Sequence, residues 1–350
     1  MPRMDQDTAL KSALTRIKLL LIGDGKVGKT HFAGSAAAAG FNVLYMDGDV
    51  GTPTLSQLPM EAKKNLYLLQ IHDTIMGGGR DSRMVETFEE FASNITFRWN
   101  DTLGRVAKHK DNDEIWEIKP GLMDDSCVVV LDSWTSMVES IVLRAAIANS
   151  VDLHDPAGVK LSDMRDVYRA AGAKATQILQ LVRSMPCHVI VLGHPDEYEH
   201  RVNPEGKRVR DINEKDQIIE WTKMVAKSTS RPHSLMMPKY FTDVAWMEIS
   251  PLGDRKIDFR AKASRISGGH FTEIKTVDEY SFVNLVKHIG GKVPDPKSPE
   301  STERWLKIIP AGESVPVETK VLEGGETGTV KAGGGVAALF AKKAAEAPAK

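Results

Sequence analysis

Residues Ile17 to Thr30 run IKLLLIGDGKVGKT: an apolar run, a glycine-rich turn, then a lysine and a threonine opening an Ala-rich segment. An apolar run of this kind suits a strand covered on both faces. The following Lys29 to Ala39 suits a helix, stopped at Gly40 where a C-terminal glycine belongs. Between them, Gly23-Asp24-Gly25-Lys26-Val27-Gly28-Lys29-Thr30 matches G-x-x-x-x-G-K-[ST] at every fixed position, in the strand-to-helix context the motif requires. Glycines let backbone N–H groups wrap phosphate oxygens, and the helix N-terminus adds a favourable field. Lys29 is expected on the β- and γ-phosphates and the Thr30 hydroxyl on Mg²⁺, with His31 ending the nucleotide-binding stretch. The expected ligand is Mg²⁺-bound ATP.

The rest of the chain continues this alternation. Phe41 to Met46 and Asn65 to Ile71 predict strands, and Cys127 to Leu131 is the most strand-like segment of all. A helix is expected from about Ser133 to Asn149 and another from Asp163 to Ser184, before a core strand at His188 to Leu192. This is βαβ order, which predicts a parallel sheet with helices on both faces. Arg83 to Lys110 carries helical periodicity, with Phe88, Phe91, Ile95, Trp99 and Leu103 as its buried stripe. Pro195 to Pro238 is polar and basic with no strong sheet signal. Val244 to Ile249 and Lys256 to Ala261 predict late antiparallel strands joined by the Pro251–Asp254 turn. Trp99, Trp116 and Trp246 are expected as core or partly buried anchors.

Composition narrows the class. The 350 residues carry a formal net charge of −1, so no whole-chain field steers an acidic partner. Cys127 and Cys187 are the two cysteines, and neither belongs to a Cys-x-x-Cys pair, which argues against a zinc site or disulfide scaffold and suits a reducing cytoplasm. No apolar run approaches the ~20 residues that span a bilayer. Met1 to Lys18 is mixed in charge and lacks a secretory core. The expected layout is an N-terminal extension over 1–13, one ATPase domain over 14–285, and a flexible, low-complexity tail over 286–350. Within the tail, Val336 to Phe340 is a short apolar knot that offers a docking element for a single-stranded DNA-binding protein or packs in cis.

A phosphate loop needs carboxylates from neighbouring strands. Cys127-Val-Val-Val-Leu-Asp132 is an apolar strand ending in Asp, which places Asp132 beside Thr30 as a holder of the metal. Taken alone, a strand-ending Asp is more often a helix N-cap. Asp47-Gly48-Asp49 ends the second strand; Asp49 is the first candidate for activating the attacking water and Asp47 the next. The same residues make a solvated turn if no ligand is present. GDGKVGKT also resembles the loop of small GTPases, but no Asn-Lys-x-Asp motif selects guanine; Asn213-Glu214-Lys215-Asp216 has the wrong order. Partitioning ATPases carry a lysine five positions before Lys29, where this chain has Asp24.

Taken in order, these motifs resemble the RecA-like ATPases, closest to the phage-type single-strand annealing and recombination ATPases of the Sak group, related to RadA and the RecA core. The resemblance covers Arg16 to Gly269. It implies a three-layer α/β/α sandwich with a mostly parallel central sheet. It also implies ATP hydrolysis coupled to single-stranded DNA, and a self-oligomer in the form of a ring or filament. In that family the second strand ends in Asp-x-Glu; Asp49 stands where the Glu would be, one methylene shorter. The family's polar γ-phosphate sensor falls on His194, and its Lys-Asn-Arg signature, which reaches a neighbouring subunit's nucleotide, on Lys262 and Arg265 with one extra residue between them.

The resemblance further implies that the loops after the metal-site helix and after the sensor strand face DNA. The first, His154 to Lys160, has a single lysine. In the second, Arg201, Lys207, Arg208 and Arg210 are candidates for phosphate contacts and Tyr198 for stacking on a base, with Glu197, Glu199, Glu205 and Asp211 interleaved. Such a mixture also makes an ordinary solvated hairpin. An ATP-switched assembly protein without DNA contact, or a DNA motor subunit, are the competing functions.

Overall fold

The computed structural model describes residues 16–310 other than 72, 77–78, 82, 101–103, 106–113, 152, 154–159, 206–217, 251, 261, 263, 270–280 and 295–299. All of these belong to one compact unit, Met1–Glu313; the second, Ser314–Lys350, lies outside the described residues, as does the Val336 to Phe340 knot.

In chain order, β1 (Lys18–Ile22) leads through the phosphate loop into α1 (Lys29–Ala38) and β2 (Asn42–Asp47), followed by β3 (Leu66–Gln70) and the short pair β4 (Thr74–Met76) and β5 (Gly79–Asp81). Then come α2 (Arg83–Ser93), β6 (Phe97–Asn100), β7 (Gly104–Arg105), β8 (Ile115–Ile118), β9 (Cys127–Asp132), α3 (Trp134–Ala148) and α4 (Leu161–Ser184). The chain continues as β10 (His188–Gly193), β11 (Pro195–Val202), β12 (Ile218–Ala226), β13 (Asp243–Ile249), β14 (Arg255–Asp258), α5 (Phe282–His288), a short helix Glu300–Trp305, and β15 (Leu306–Ile309).

Seven strands form the central sheet in the order β14-β13-β1-β10-β9-β2-β3. All pair in parallel except β14, which runs antiparallel to β13 at one edge. β1, β9 and β10 are buried along their whole length, as their apolar runs require. Side chains alternate between two cores. Leu19, Leu21, Val43, Tyr45, Val128 and Val130 pack with Phe32 of α1 and Phe282 of α5. Leu20, Leu44, Met46, Val129 and Leu131 face α2, α3 and α4 through Phe88, Met137 and Ile178. The result is a three-layer α/β/α fold. Gly40 ends α1 with φ at +90°, a left-handed position that favours glycine. Cys127 and Cys187 are buried free thiols. No helix among the described residues is long and apolar enough to cross a membrane.

Three expectations change. The helix expected over 83–110 stops at Ser93, and Ile95, placed in its buried stripe, is 87% exposed. Trp99 is buried, but on β6 of a second sheet ordered β15-β8-β6-β7, because β-branched and aromatic residues there pair across strands. Leu103 lies outside the described residues. Pro195 to Pro238, without a strong sheet signal, contains the antiparallel β11–β12 hairpin. The segment expected as tail from 286 holds structure: β15 pairs with β8, and Trp305 is 1% exposed, edge-on to Tyr67. Residues 311–350 lie outside the described residues.

Candidate active site

The phosphate loop is shaped by close backbone approaches. A Cβ at Gly23 would lie 2.6 Å from the Met247 carbonyl oxygen, so only glycine fits. Gly28 caps α1 with φ at +104°. Asp24, Gly25 and Lys26 are exposed, Val27 is buried beneath them, and His31 is exposed on the first turn of α1. The Lys29 ammonium turns back on the loop, donating to the carbonyls of Gly23 at 2.6 Å and Asp24 at 2.7 Å. Burial lowers its pKa, and the Asp132 carboxylate opposes that shift.

Asp132 ends β9 beside this loop. One carboxylate oxygen accepts from the Thr30 hydroxyl at 2.8 Å and from the Tyr45 hydroxyl at 2.5 Å. Burial raises the Asp132 pKa, and the two hydroxyls pull it back. Burial also holds the Tyr45 phenol well above its ordinary value, with the neighbouring Asp132 charge adding to the shift, so Tyr45 acts as a donor. Ser133 follows through a cis peptide bond and caps α3, accepting from the Ser136 amide at 3.3 Å.

The two carboxylates after β2 have different surroundings. Asp47 is buried and pairs in register with Asp132; its side chain accepts from the amides of Asp49 at 3.2 Å and Gly51 at 2.8 Å, which ties the turn. Asp49 instead projects towards the strand ends. It accepts a short hydrogen bond from the Ser136 hydroxyl and lies 3.6 Å from His194 Nε2. His194, just beyond β10, donates its backbone N–H to the Thr135 hydroxyl at 3.2 Å. Lys29, Thr30, Asp49, Asp132 and His194 are thus gathered at the C-terminal ends of β1, β2, β9 and β10, where open α/β sheets bind ligands.

A family model described as AAA domain matches residues 15–263. The chain belongs to the AAA domain family. This makes it a P-loop ATPase domain, and such a domain implies nucleotide binding, typically with Mg²⁺. No curated protein matches the chain.

The AAA domain's residues fit that cofactor. Thr30 and Asp132 present converging oxygen donors, the hard ligands Mg²⁺ prefers, and phosphate oxygens complete such a site. Among the described residues no cluster of three or more His, Cys, Asp or Glu forms a protein-only metal site.

Of the other expected site residues, Arg265 lines a cavity together with Gly23 and Asp24 of the phosphate loop. Arg265 is 6% exposed and held by Asp258 at 2.5 Å and by Glu248, with its guanidinium over the Trp246 ring. Lys262 pairs with the same Asp258 at 3.0 Å but keeps its side chain partly in solvent. Tyr198 is 3% exposed, buried against Trp221, so it offers no free face to a base. Arg201 is taken by Glu199. Lys207, Arg208 and Arg210, and most of the loop from His154, lie outside the described residues. Two functional contacts were missed in the sequence. Tyr45 shares the Asp132 face by strand alternation, a signal visible once β2 and β9 are neighbours. Ser136 is one turn into a helix and carries no motif signal.

Proposed function

We propose that this AAA domain is a RecA-like ATPase that couples ATP turnover to single-stranded DNA, in annealing or recombination, through the β11–β12 hairpin. In this reading Lys29 leaves the Gly23 and Asp24 carbonyls for the β- and γ-phosphates, while the N–H groups at the start of α1 hold the phosphate oxygens. Thr30 and Asp132 hold Mg²⁺, which when bound offsets phosphate charge. Asp49 accepts the proton of the attacking water, kept in place by Ser136. His194 meets the terminal phosphate.

The observation that carries the coupling is continuity. β11 begins at Pro195, directly after His194, and the hairpin returns to it through the Lys227 amide, which donates to the His194 carbonyl at 3.0 Å. A displacement of His194 is therefore a displacement of the hairpin base. On the hairpin, Trp221 is 37% exposed, stacked on His200 with a centroid distance of 4.8 Å and with Lys223 at 5.3 Å. An exposed aromatic edge with a cation over its ring suits sequence-tolerant contact with a base and its phosphate. Lys262 is the better candidate for action in trans, since Arg265 is enclosed by Asp258 and Glu248; that role requires an oligomer.

A second reading, ATP-switched assembly without nucleic acid, is favoured by the acids on the hairpin: Glu199 takes Arg201, and Glu220 sits 2.9 Å from His200. ATP hydrolysis with and without single-stranded DNA separates the two, measured on wild type, Lys29→Ala and Trp221→Ala. Stimulation that needs both Lys29 and Trp221 supports the coupled reading. Turnover indifferent to DNA sinks it and leaves the switch.

A further inference from the structure

The groups gathered around the phosphate loop lie on one flank of it. β1 sits between β10 and β13 in the sheet. Asp132, Asp49 and His194 all follow strands on the β10 side, namely β9, β2 and β10. The opposite flank is formed by the β13–β14 hairpin, whose register sets Arg255, first in β14, against Ile249.

This hairpin touches the loop at two glycines. Met247 closes over Gly23, as described. At Gly28, a Cβ would lie 3.0 Å from Arg255 Nε, 3.1 Å from Arg255 Cδ and 3.3 Å from Met247 Cε. Arg255 therefore lies on the last residue before α1, next to the N–H groups that point towards bound phosphate. Arg255 is exposed.

Direction follows from this layout. The reacting end of a triphosphate belongs beside Thr30, Asp132, Asp49 and His194, so its nucleoside end must leave the loop on the other flank. That path crosses Gly28 and meets the β13–β14 hairpin. Resting on the reading of this loop as an ATP site, we infer that Arg255 is a nucleotide-binding residue acting in cis, its guanidinium taking oxygens of the α- and β-phosphates. A guanidinium suits the task, because its planar fork of donors matches phosphate geometry and it stays charged at every working pH. The groups it holds are common to ADP and ATP and are not the ones that react. Arg255 thus governs affinity for both nucleotides and leaves the chemical step alone.

The test is calorimetric binding of ADP and ATP to the full chain as wild type, Arg255→Ala, Arg255→Lys and Lys29→Ala, with steady-state hydrolysis on each. Arg255→Ala is expected to weaken ADP and ATP alike by about tenfold, the scale of one charge-assisted contact. Its kcat at saturating ATP is expected to stay within about twofold of wild type, and Arg255→Lys to recover part of the affinity, since the charge remains and the fork is lost. Thermal melting verifies that the variants are folded, and the exposure of Arg255 favours that. Unchanged ADP affinity in Arg255→Ala overturns the inference. So does a fall in kcat at unchanged affinity, which would put Arg255 at the reacting phosphate. If wild type binds nucleotide in a Lys29-dependent manner while Arg255→Ala binds equally well, only the Arg255 assignment fails; if wild type binds neither nucleotide, the ATP-site reading fails with it.

Discussion

Asp49 and His194 come from the ends of β2 and β10, strands separated by β9, yet their side chains meet with Asp49 Oδ2 3.6 Å from His194 Nε2. Ser136, on the first turn of α3, holds the other Asp49 oxygen. With Asp47 engaged in the turn beneath, Asp49 is the carboxylate to which the proposed mechanism gives the attacking water. Asp49→Asn should lower kcat by about 100-fold or more, the usual worth of a general base, with little change in ATP affinity. Single-turnover hydrolysis beside equilibrium ATP binding checks it, and the same loss from Asp47→Asn with Asp49 intact would reassign the base.

Tyr45 supports Asp132 from the neighbouring strand. Removing its hydroxyl leaves a buried carboxylate with one donor fewer, which costs about 1–3 kcal/mol. Tyr45→Phe should therefore lower the urea midpoint and raise the Mg²⁺ concentration needed for half-maximal hydrolysis. A variant with the wild-type midpoint would show that solvent or Thr30 replaces the phenol at no cost.

His188 predicts the acid limb of stability. It is buried at the start of β10, where Nδ1 accepts from the Ile17 amide at 3.0 Å and Nε2 meets the Asp125 carbonyl at 3.0 Å. Burial lowers its pKa to about 4; Asp125 opposes this, and Lys18 and Arg16 add to it. The folded form thus holds a neutral imidazole while the unfolded chain protonates near pH 6.5. The folded-state pKa is the lower one, so this contribution is complete above pH 6.5 and is lost as pH falls towards 4. The amount is about 3 kcal/mol. Urea denaturation at pH 7 and pH 4.5 measures it, and His188→Gln should flatten the difference.

Trp305 tests where the domain ends. Its side chain is enclosed by Tyr67 and the core beneath the second sheet. Trp305→Ala should cost about 3–5 kcal/mol, as large-to-small changes in a packed core do. Cleavage of the chain before residue 300 should be at least as damaging in a thermal melt. A truncated chain that melts like the whole would return this segment to the tail.

The central sheet was legible because three of its core strands are apolar runs that lead into a candidate site residue: Ile22 before the loop, Leu131 before Asp132, Gly193 before His194. Strand alternation and motif order place these residues without any knowledge of partners. The second sheet was not legible. Trp99 shares a helical period with Phe88 and Phe91, and only the stop at Ser93 breaks it. The hairpin escaped for a different reason: β11 alternates charged residues with few apolar ones, and its stability comes from cross-strand stacking of Tyr198, His200 and Trp221, which no local pattern announces. The enclosure of Arg265 was not legible, because charge pairing with Asp258 and Glu248 is a property of the folded strands β13 and β14.

The pairing of β15 with β8 also bears on how the molecule is made. β8 leaves the ribosome long before the strand that completes its sheet, and Trp305 arrives later still than every residue around the phosphate loop. Closing so long a loop is slow relative to local pairing. During synthesis the nucleotide-site strands through β13 can assemble first, leaving the apolar floor under Tyr67 and Trp116 uncovered until the last segment emerges. For that interval the apolar surface stays uncovered, and the order of translation sets when it can close.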